Sequence, residues 1–485
     1  MIQFNVNPGN IEGFPEEEWN RFQKLLDVYE YHAAGNQKKQ KYYEGNIPLD
    51  SVNLGIALPQ GLRKLEIGCA WGAKTVDVLA ARSMFDGFVG ANGYDVEELD
   101  KIVRDNDLIT EYAKGTRDEL KLGCTFVTLS KDPDVGVKIR FHSSMTAAGM
   151  WNGEKGRIDC GFAIIDTAQD DTDKLWRPTL VNYYTEDAIW VIRRIDNVWT
   201  AEYRPHKMGR PLMEPLIWNA TSDKPFGRSR IKEPVRRLID GYIRTIANAT
   251  IGLEFSTTPQ KYILGVTDEQ YDQIVNDKFK QYVGNILAAT QNPETGEKPT
   301  FGQLQQGTLS PHVEMLRMLS TQFSAATGLS VTDTGVVNEA NPTSSDAILA
   351  QSQTLIAMAE QLNVGNGTAL RNVALMALAI INNTNIEGLE PEQREIMAHF
   401  KNPAMPSVAV TADAAIKIAS AREGFATTDT FLSMIGFDQA EIRRIKAQEQ
   451  RARGMRLLEE METTETTEVV DTNNTEEGQD EYIVV

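Results

Sequence analysis

The residues best placed to do chemistry in this chain lie at 65–72. There Leu65-Glu66-Ile67-Gly68-Cys69-Ala70-Trp71-Gly72 runs from an apolar stretch into a glycine-rich turn. Glycine lacks a Cβ, so such a turn lets backbone N–H groups approach a bound ligand. Two features argue against that use. Ala70 stands where the middle glycine is needed, and no strand ending in an acid follows at the spacing that would reach ribose hydroxyls. Metal and thiol chemistry have less to work with. Cys69, Cys124 and Cys160 form no C-x-x-C, and His32, His142, His206, His312 and His399 form no H-x-x-x-H pair. A disulfide framework and a zinc site are not expected, and a reducing cytoplasm is the natural place of synthesis.

The totals narrow the function further. A chain of 485 residues, 41% hydrophobic and 24% charged, can bury a core and divides into two to four domains. The formal charge of −19 is unevenly spread, because residues 459–485 hold ten acids and neither Lys nor Arg. Without them 58 acids face 49 bases, a poor balance for gripping nucleic acid through its phosphates. No uninterrupted apolar run approaches the ~20 residues of a membrane span. The longest, Val373–Ile381, falls far short, and the N-terminus lacks a signal-peptide pattern, so no membrane partner is expected.

The elements that must carry any site are legible from periodicity. Trp19, Phe22, Leu25, Leu26, Val28 and Tyr29 recur at helical spacing, as do Leu99, Ile102, Val103, Leu108, Ile109 and Tyr112 within 97–121. Trp71, Val76, Val78, Leu79 and Phe85 read as a core helix. Short alternating runs at 124–130, 137–142, 157–166, 180–185, 188–195 and 197–205, joined by KDPDVG, NGEKG and QDDTDK, read as an antiparallel meander. Residues 225–251 follow, Pro-Phe-Gly-Arg-Ser-Arg-Ile and then one apolar helical stripe through Val235, Leu238, Ile239, Tyr242, Ile243 and Ile246. Ser229 is the candidate cap, Pro234 fits a first turn and Gly252 a stop. Two strands, 254–267 and 299–308, flank a short helical segment. A second helix at 309–327 carries Val313, Leu316, Leu319, Phe323 and Ala326, with Pro311 in its first turn and Gly328 at its end. The stretch 328–342 reads as a loop. A long helix then runs from Thr343 to about Ile381 with a kink or break at Gly365 and Gly367. Three helical pieces in 411–460 precede an acidic end, disordered from about 463.

The 65–72 turn resembles the first motif of the Rossmann methyltransferases that use S-adenosylmethionine, and that activity is the alternative reading. The order of segments over about 15–455 resembles instead the portal (head–tail connector) proteins of tailed phages, in the branch with long non-contractile tails. The resemblance rests on WGAKTVDVLAARSMFDGFVG, on the Gly209-x-Pro211 step, and on Pro225-Phe226-Gly227-Arg228-Ser229 before its helix. It rests also on Asn341-Pro342-Thr343-Ser344-Ser345-Asp346-Ala347 opening the long helix, and on ADAAIKIASAREGF…FLSMIGFDQAEIRRI. A generic scaffold assembled through the charged C-terminal helices is the third reading.

The portal resemblance implies an α+β chain with a wing (1–224), a first stem helix (225–252), a clip (253–308) and a second stem helix (309–327). A tunnel loop (328–342), a long wing helix with its return (343–410), a helical crown (411–462) and the acidic tail (463–485) complete it. It implies a ring, usually of twelve copies, at one capsid vertex of a virion made in the host cytoplasm. Double-stranded DNA slides through this ring without sequence preference. Terminase large subunit, head–tail adaptor, major capsid and scaffolding proteins are the implied partners, with no cofactor. Val331, Thr332, Asp333, Thr334, Val337, Asn338, Glu339 and Asn341 are then the DNA-facing loop residues. Val235, Leu238, Ile239, Ile243, Leu316, Leu319 and Phe323 pack the stem. Lys232, Arg236, Arg237 and Arg244 either face the channel or form i,i+4 pairs (Arg236–Asp240–Arg244) while covering apolar surface.

Overall fold

The computed structural model describes residues 11–47, 67–90, 97–169, 174, 176–195, 198–257, 261–265, 267, 269, 296, 298–303, 308–335, 345–404, 408–422, 424–437 and 441–456. They fall into two compact units, Met1–Ala398 and His399–Val485. In chain order the first unit contains β1 (Ile11–Glu12), α1 (Glu16–Glu44), α2 (Trp71–Ala80), β2 (Phe85–Val89), α3 (Glu97–Asp105) and α4 (Leu108–Leu122). Then come β3 (Cys124–Asp132), β4 (Gly136–Ser143), β5 (Ala147–Asn152), β6 (Arg157–Gln169), β7 (Trp176–Tyr184), β8 (Ala188–Ile195), β9 (Val198–Pro205) and β10 (Met213–Ile217). Next come α5 (Glu233–Thr257), β11 (Lys261–Leu264), β12 (Thr300–Gln303), α6 (Ser310–Thr327) and α7 (Ser345–Ile381), followed by a short helix over Pro391–Arg394.

The expected single meander is divided between two sheets: β5 to β9 form an antiparallel run in a six-stranded sheet of order β1-β9-β8-β7-β6-β5, with β1 added in parallel at one edge, while the strands read at 124–130 and 137–142 lie in another. Helix α1 begins with three glutamates, which favour the positive end of a helix dipole, and stops at Gly45 in the left-handed region (φ 76°). Its stripe Phe22, Leu25, Leu26 and Tyr29 covers the sheet face formed by Phe162, Ile164, Val181 and Tyr183. Rings meet edge to face there, Phe22 lying 5.2 Å from Tyr183 and 5.8 Å from Phe162 between centroids. A second sheet, β10-β3-β4, is three-stranded and antiparallel. Pro215 is tolerated in β10 because that strand is an edge.

Several elements differ from the sequence reading. Residues 97–121 are two helices, because Asp107 takes a left-handed conformation and Asn106 leaves the helix to bond the backbone of Ile102, Val137 and Ile139. Ile109 is consequently exposed. Phe85 belongs to strand β2 rather than to the helix before it. Gly252 does not stop α5, which continues to Thr257, and the flanking strands shrink to β11 and β12. Helix α7 runs through Gly365 and Gly367 without a break. The helical segment between β11 and β12, the Asn341–Ser344 part of the long-helix motif and the acidic tail lie outside the described residues.

Within α7, the segment Ser352–Ile381 is long and apolar enough to cross a membrane by composition. Leu362, Leu370, Val373, Met376 and Ala377 are nonetheless all buried in the protein, so the segment is accounted for as a core helix. In the second unit, α8 (Val408–Ala421) and α9 (Asp429–Ile435) precede a helix over 441–456 whose surface is mostly exposed. Thr428 caps α9, its hydroxyl accepting from Phe431 N at 3.2 Å.

Candidate functional site

The junction before α5 is built to close the open end of α4. A helix leaves its last four carbonyls without intrahelical donors. At the end of α4 each has found one elsewhere. Leu120 O accepts from Arg230 N at 2.8 Å, Lys121 O from the Ser229 hydroxyl, Leu122 O from Lys39 Nζ at 3.0 Å and Gly123 O from Trp218 N at 3.0 Å. Ser229 is therefore a cap for α4, not for α5. Gly227 (φ 66°) is required, since a Cβ there would stand 2.1 Å from Trp218 O.

Arg230, one residue on, is buried. It reaches Thr75 O (2.6 Å) in α2, Thr327 O (2.7 Å) at the end of α6 and Met358 Sδ (3.3 Å) in α7, with Trp218 beneath its guanidinium. Burial lowers its pKa to about 10, and it remains charged at neutral pH. One cation thus joins four segments that sequence reasoning left unconnected.

Helices α5 and α6 pack side by side. Val235, Ile239, Ile243 and Ala247 of α5 meet Leu319 and Phe323 of α6, and Gly241 lets Leu319 approach to 3.2 Å from where a Cβ would lie. These packing residues are buried within a single chain. Leu238 is partly buried, and Leu316 lies at the margin. Trp71 completes the cluster, its ring 4.5 Å from Phe323 and 4.7 Å from Tyr242.

Trp71 also holds the loop that follows α6. Its Nε1 donates to Thr334 O at 3.2 Å, Lys74 Nζ donates to Asp333 O, and the Ser320 and Thr334 hydroxyls bond each other. Asp333 bonds back to Ser330 N and Oγ at 3.0 and 2.7 Å, and Gly335 (φ 85°) turns the chain. The expectation that Thr334 faces DNA is therefore corrected, because its side chain is buried against α6. Val331 and Asp333 are partly buried and Thr332 is exposed, whereas Val337, Asn338, Glu339 and Asn341 lie outside the described residues.

The four basic candidates separate. Lys232 is exposed. Arg236 is partly buried, donating to Ile231 O at 2.8 Å and lying over the Tyr42 ring. Arg237 pairs with Glu233 at 2.6 Å. Asp240 accepts from the Tyr42 hydroxyl at 2.8 Å. Glu233, Arg237 and Arg244 share one exposed face of α5.

The glycine turn at 68–72 has a structural purpose. Gly68 bridges to Asn46, Cys69 is buried and Trp71 opens α2. A Cβ on Gly72 would fall 1.9 Å from Tyr42 O, so glycine is demanded by the contact of α1 with α2. Gly72→Ala is expected to lower stability by about 2–3 kcal/mol, as forced overpacking does, measured by denaturant unfolding. An unaltered midpoint would show that the helices separate freely. Burial pushes the Cys69 and Cys160 thiols up to about 11, so both stay unreactive. Among the described residues no group of acids, histidines and cysteines could hold a metal ion.

Residues 22–455 match the family described as phage portal protein, SPP1 Gp6-like, and the chain belongs to that family. It is 23% identical over 452 residues to the portal protein of Mycobacterium phage D29, covering 90% of each chain. Among solved structures it is similar to a chain from the virion of a native gene transfer agent particle (14% identity, TM-score 0.42, covering 76% of this chain and 89% of that one). It is also similar to a chain from the neck of the empty particle (13%, 0.43, 76% and 90%). A portal protein is a structural component of the phage virion, part of its head–tail connector, so the chain is not an enzyme and the methyltransferase reading is set aside.

Proposed function

We propose that copies of this chain close into a ring, expected to be dodecameric, at one capsid vertex. Viral DNA enters and leaves through its centre, and terminase and head–tail adaptor dock on it. Capsid and scaffolding proteins surround it, and synthesis is in the host cytoplasm. In this assignment α5 and α6 are the stem, the residues between them the clip, 1–224 the wing, 328–342 the tunnel loop and 411–462 the crown. Arg237 and Arg244 are the basic residues left to face the channel, with Glu233 beside them to temper their grip on phosphates.

The observation that carries the reading is a second apolar face on α6. Leu319 and Phe323 point into the chain's own core, but Met315 and Met318, with Ala325 on the same side, remain exposed. An apolar helix face bordering a packed pair is what a neighbouring copy would cover. Ile243→Asp cannot test this, because that side chain is already interior and the variant would unfold. The double substitution Met315→Asp, Met318→Asp can. Exposed changes cost a single chain within about 0.5 kcal/mol, whereas unpaired charges in a packed interface are prohibitive. Electron micrographs and mass photometry are expected to show annular particles for the wild type and folded monomers, with near-normal melting, for the variant. Normal rings from the variant would refute the stem assignment.

A further inference from the structure

A cavity of about 630 Å³ opens between α1, the start of β3 and the 224–236 junction. Five cations line it. Lys39 and Arg236 are partly withdrawn from solvent, and Lys224, Arg228 and Lys232 are exposed. The sole acid in its lining, Glu233, is already held by Arg237, while Arg228 has only a distant, exposed Asp223 at 3.8 Å. Lys39 and Arg236 hydrogen-bond to neutral oxygens, those of Asn36, Leu122 and Ile231. The end of α4 offers Lys39 about half a negative charge. Burial holds the Lys39 pKa down, and the nearby Arg236 adds to that. The rim is apolar. Tyr31 is 82% exposed and Val28 is exposed beside it, with Phe226 on the facing wall.

We infer that this cleft receives a carboxylate-bearing segment of a second copy of the chain, inserted with an apolar side chain against Tyr31. The inference rests on the ring reading and deepens it. The cavity's volume suits a few side chains, as ligand clefts do, and a rigid duplex would touch only its rim. Copies of an acidic chain, with 68 acids against 49 bases, bring surplus carboxylates to each other's surfaces, and the cleft supplies the missing positive charge. Lys232 and Arg236, which the sequence offered as channel residues, are here assembly residues.

Rings assembled from equal parts ¹⁵N-labelled and unlabelled chains and coupled with a water-soluble carbodiimide test this. Cross-links from Lys39, Lys224 or Lys232 to an aspartate or glutamate are expected to join labelled to unlabelled peptides, which also identifies the acid. Lys39→Met with Arg236→Met is expected to weaken association at least tenfold, beyond the modest loss of monomer melting temperature that freeing Leu122 O and Ile231 O brings. Cross-links confined to one isotope overturn the inference. So does a variant that melts early yet associates normally, since Lys39 would then serve only to cap α4. A variant that assembles normally but no longer retards a duplex in a gel also overturns it, in favour of phosphate as the occupant. Wild-type chains that never associate would refute the ring reading and this one together, whereas associating chains without these cross-links refute this one alone.

Discussion

Replacing Trp71 with alanine is expected to lower the stability of the chain by about 3–5 kcal/mol, the cost of emptying a core of a large aromatic side chain. The indole is stacked on Phe323 and leans on Tyr242, so its loss opens a cavity where α2, α5 and α6 meet. It also frees Thr334 O, and with it the base of the loop that follows α6. Trp71→Phe separates these effects. The ring contacts largely survive, and only the Nε1 bond is lost, worth about 1 kcal/mol. Chemical denaturation should therefore rank wild type above Trp71→Phe above Trp71→Ala. Hydrogen exchange at 329–335 should already rise in the phenylalanine variant. Equal exchange there in all three would show that the tryptophan holds the helices but not the loop.

How much of this was visible in the chain itself depends on whether a residue's partner lies nearby. The hairpins were legible because alternation and turn chemistry are local, although their division between two sheets was not. Asp132 Oδ1 takes Asp134 N and Val135 N in one turn, and Asn152 Oδ1 takes Glu154 N and Lys155 N in another. The stripe of α5 was equally plain. Strand β5, AAGMWN, was missed because alanine and glycine carry no strand preference, and β10 because Pro215 interrupts it. Gly252 misled because a glycine within a helix costs only about 1 kcal/mol, which its neighbours offset.

The candidate site was harder to read for a different reason. Arg230 and Ser229 were recognised as part of a motif, but their carbonyl partners are supplied by Lys121, Thr75 and Thr327, more than ninety residues away in sequence. Arg236 was read from its helical face, whereas Tyr42, on another helix, decides where it lies. Gly72 gave a signal that two explanations shared. A glycine demanded by a neighbouring helix and one demanded by a cofactor look alike until the Tyr42 carbonyl is seen beside it.

Glu119 was invisible for the same reason, and it leads to the second large effect. On paper it is one more charge among Arg117, Asp118 and Lys121, yet it is fully buried and its partner is Asn366 in α7, whose Nδ2 bonds its Oε2 at 2.8 Å. The same amide donates to Tyr112 OH at 3.0 Å, and Tyr112 shares a hydrogen bond with Ser83. Burial drives the Glu119 carboxyl up to about 8, against which the Asn366 bond is a small correction, so the acid is neutral in the folded chain at pH 7. Unfolded, it ionises near its ordinary value. Its stabilising contribution is thus complete below about pH 4 and is lost as pH climbs through the folded value near 8. At about 1.4 kcal/mol per unit of separation, roughly 3–5 kcal/mol is at stake. Glu119→Gln keeps the shape and removes the proton. Its melting temperature should overtake that of the wild type as pH rises from 5 to 8.5, with the curves meeting on the acid side. Curves that stay parallel over that range would mean that Glu119 titrates as an exposed acid, and that the α4–α7 contact is not held by a neutral carboxyl.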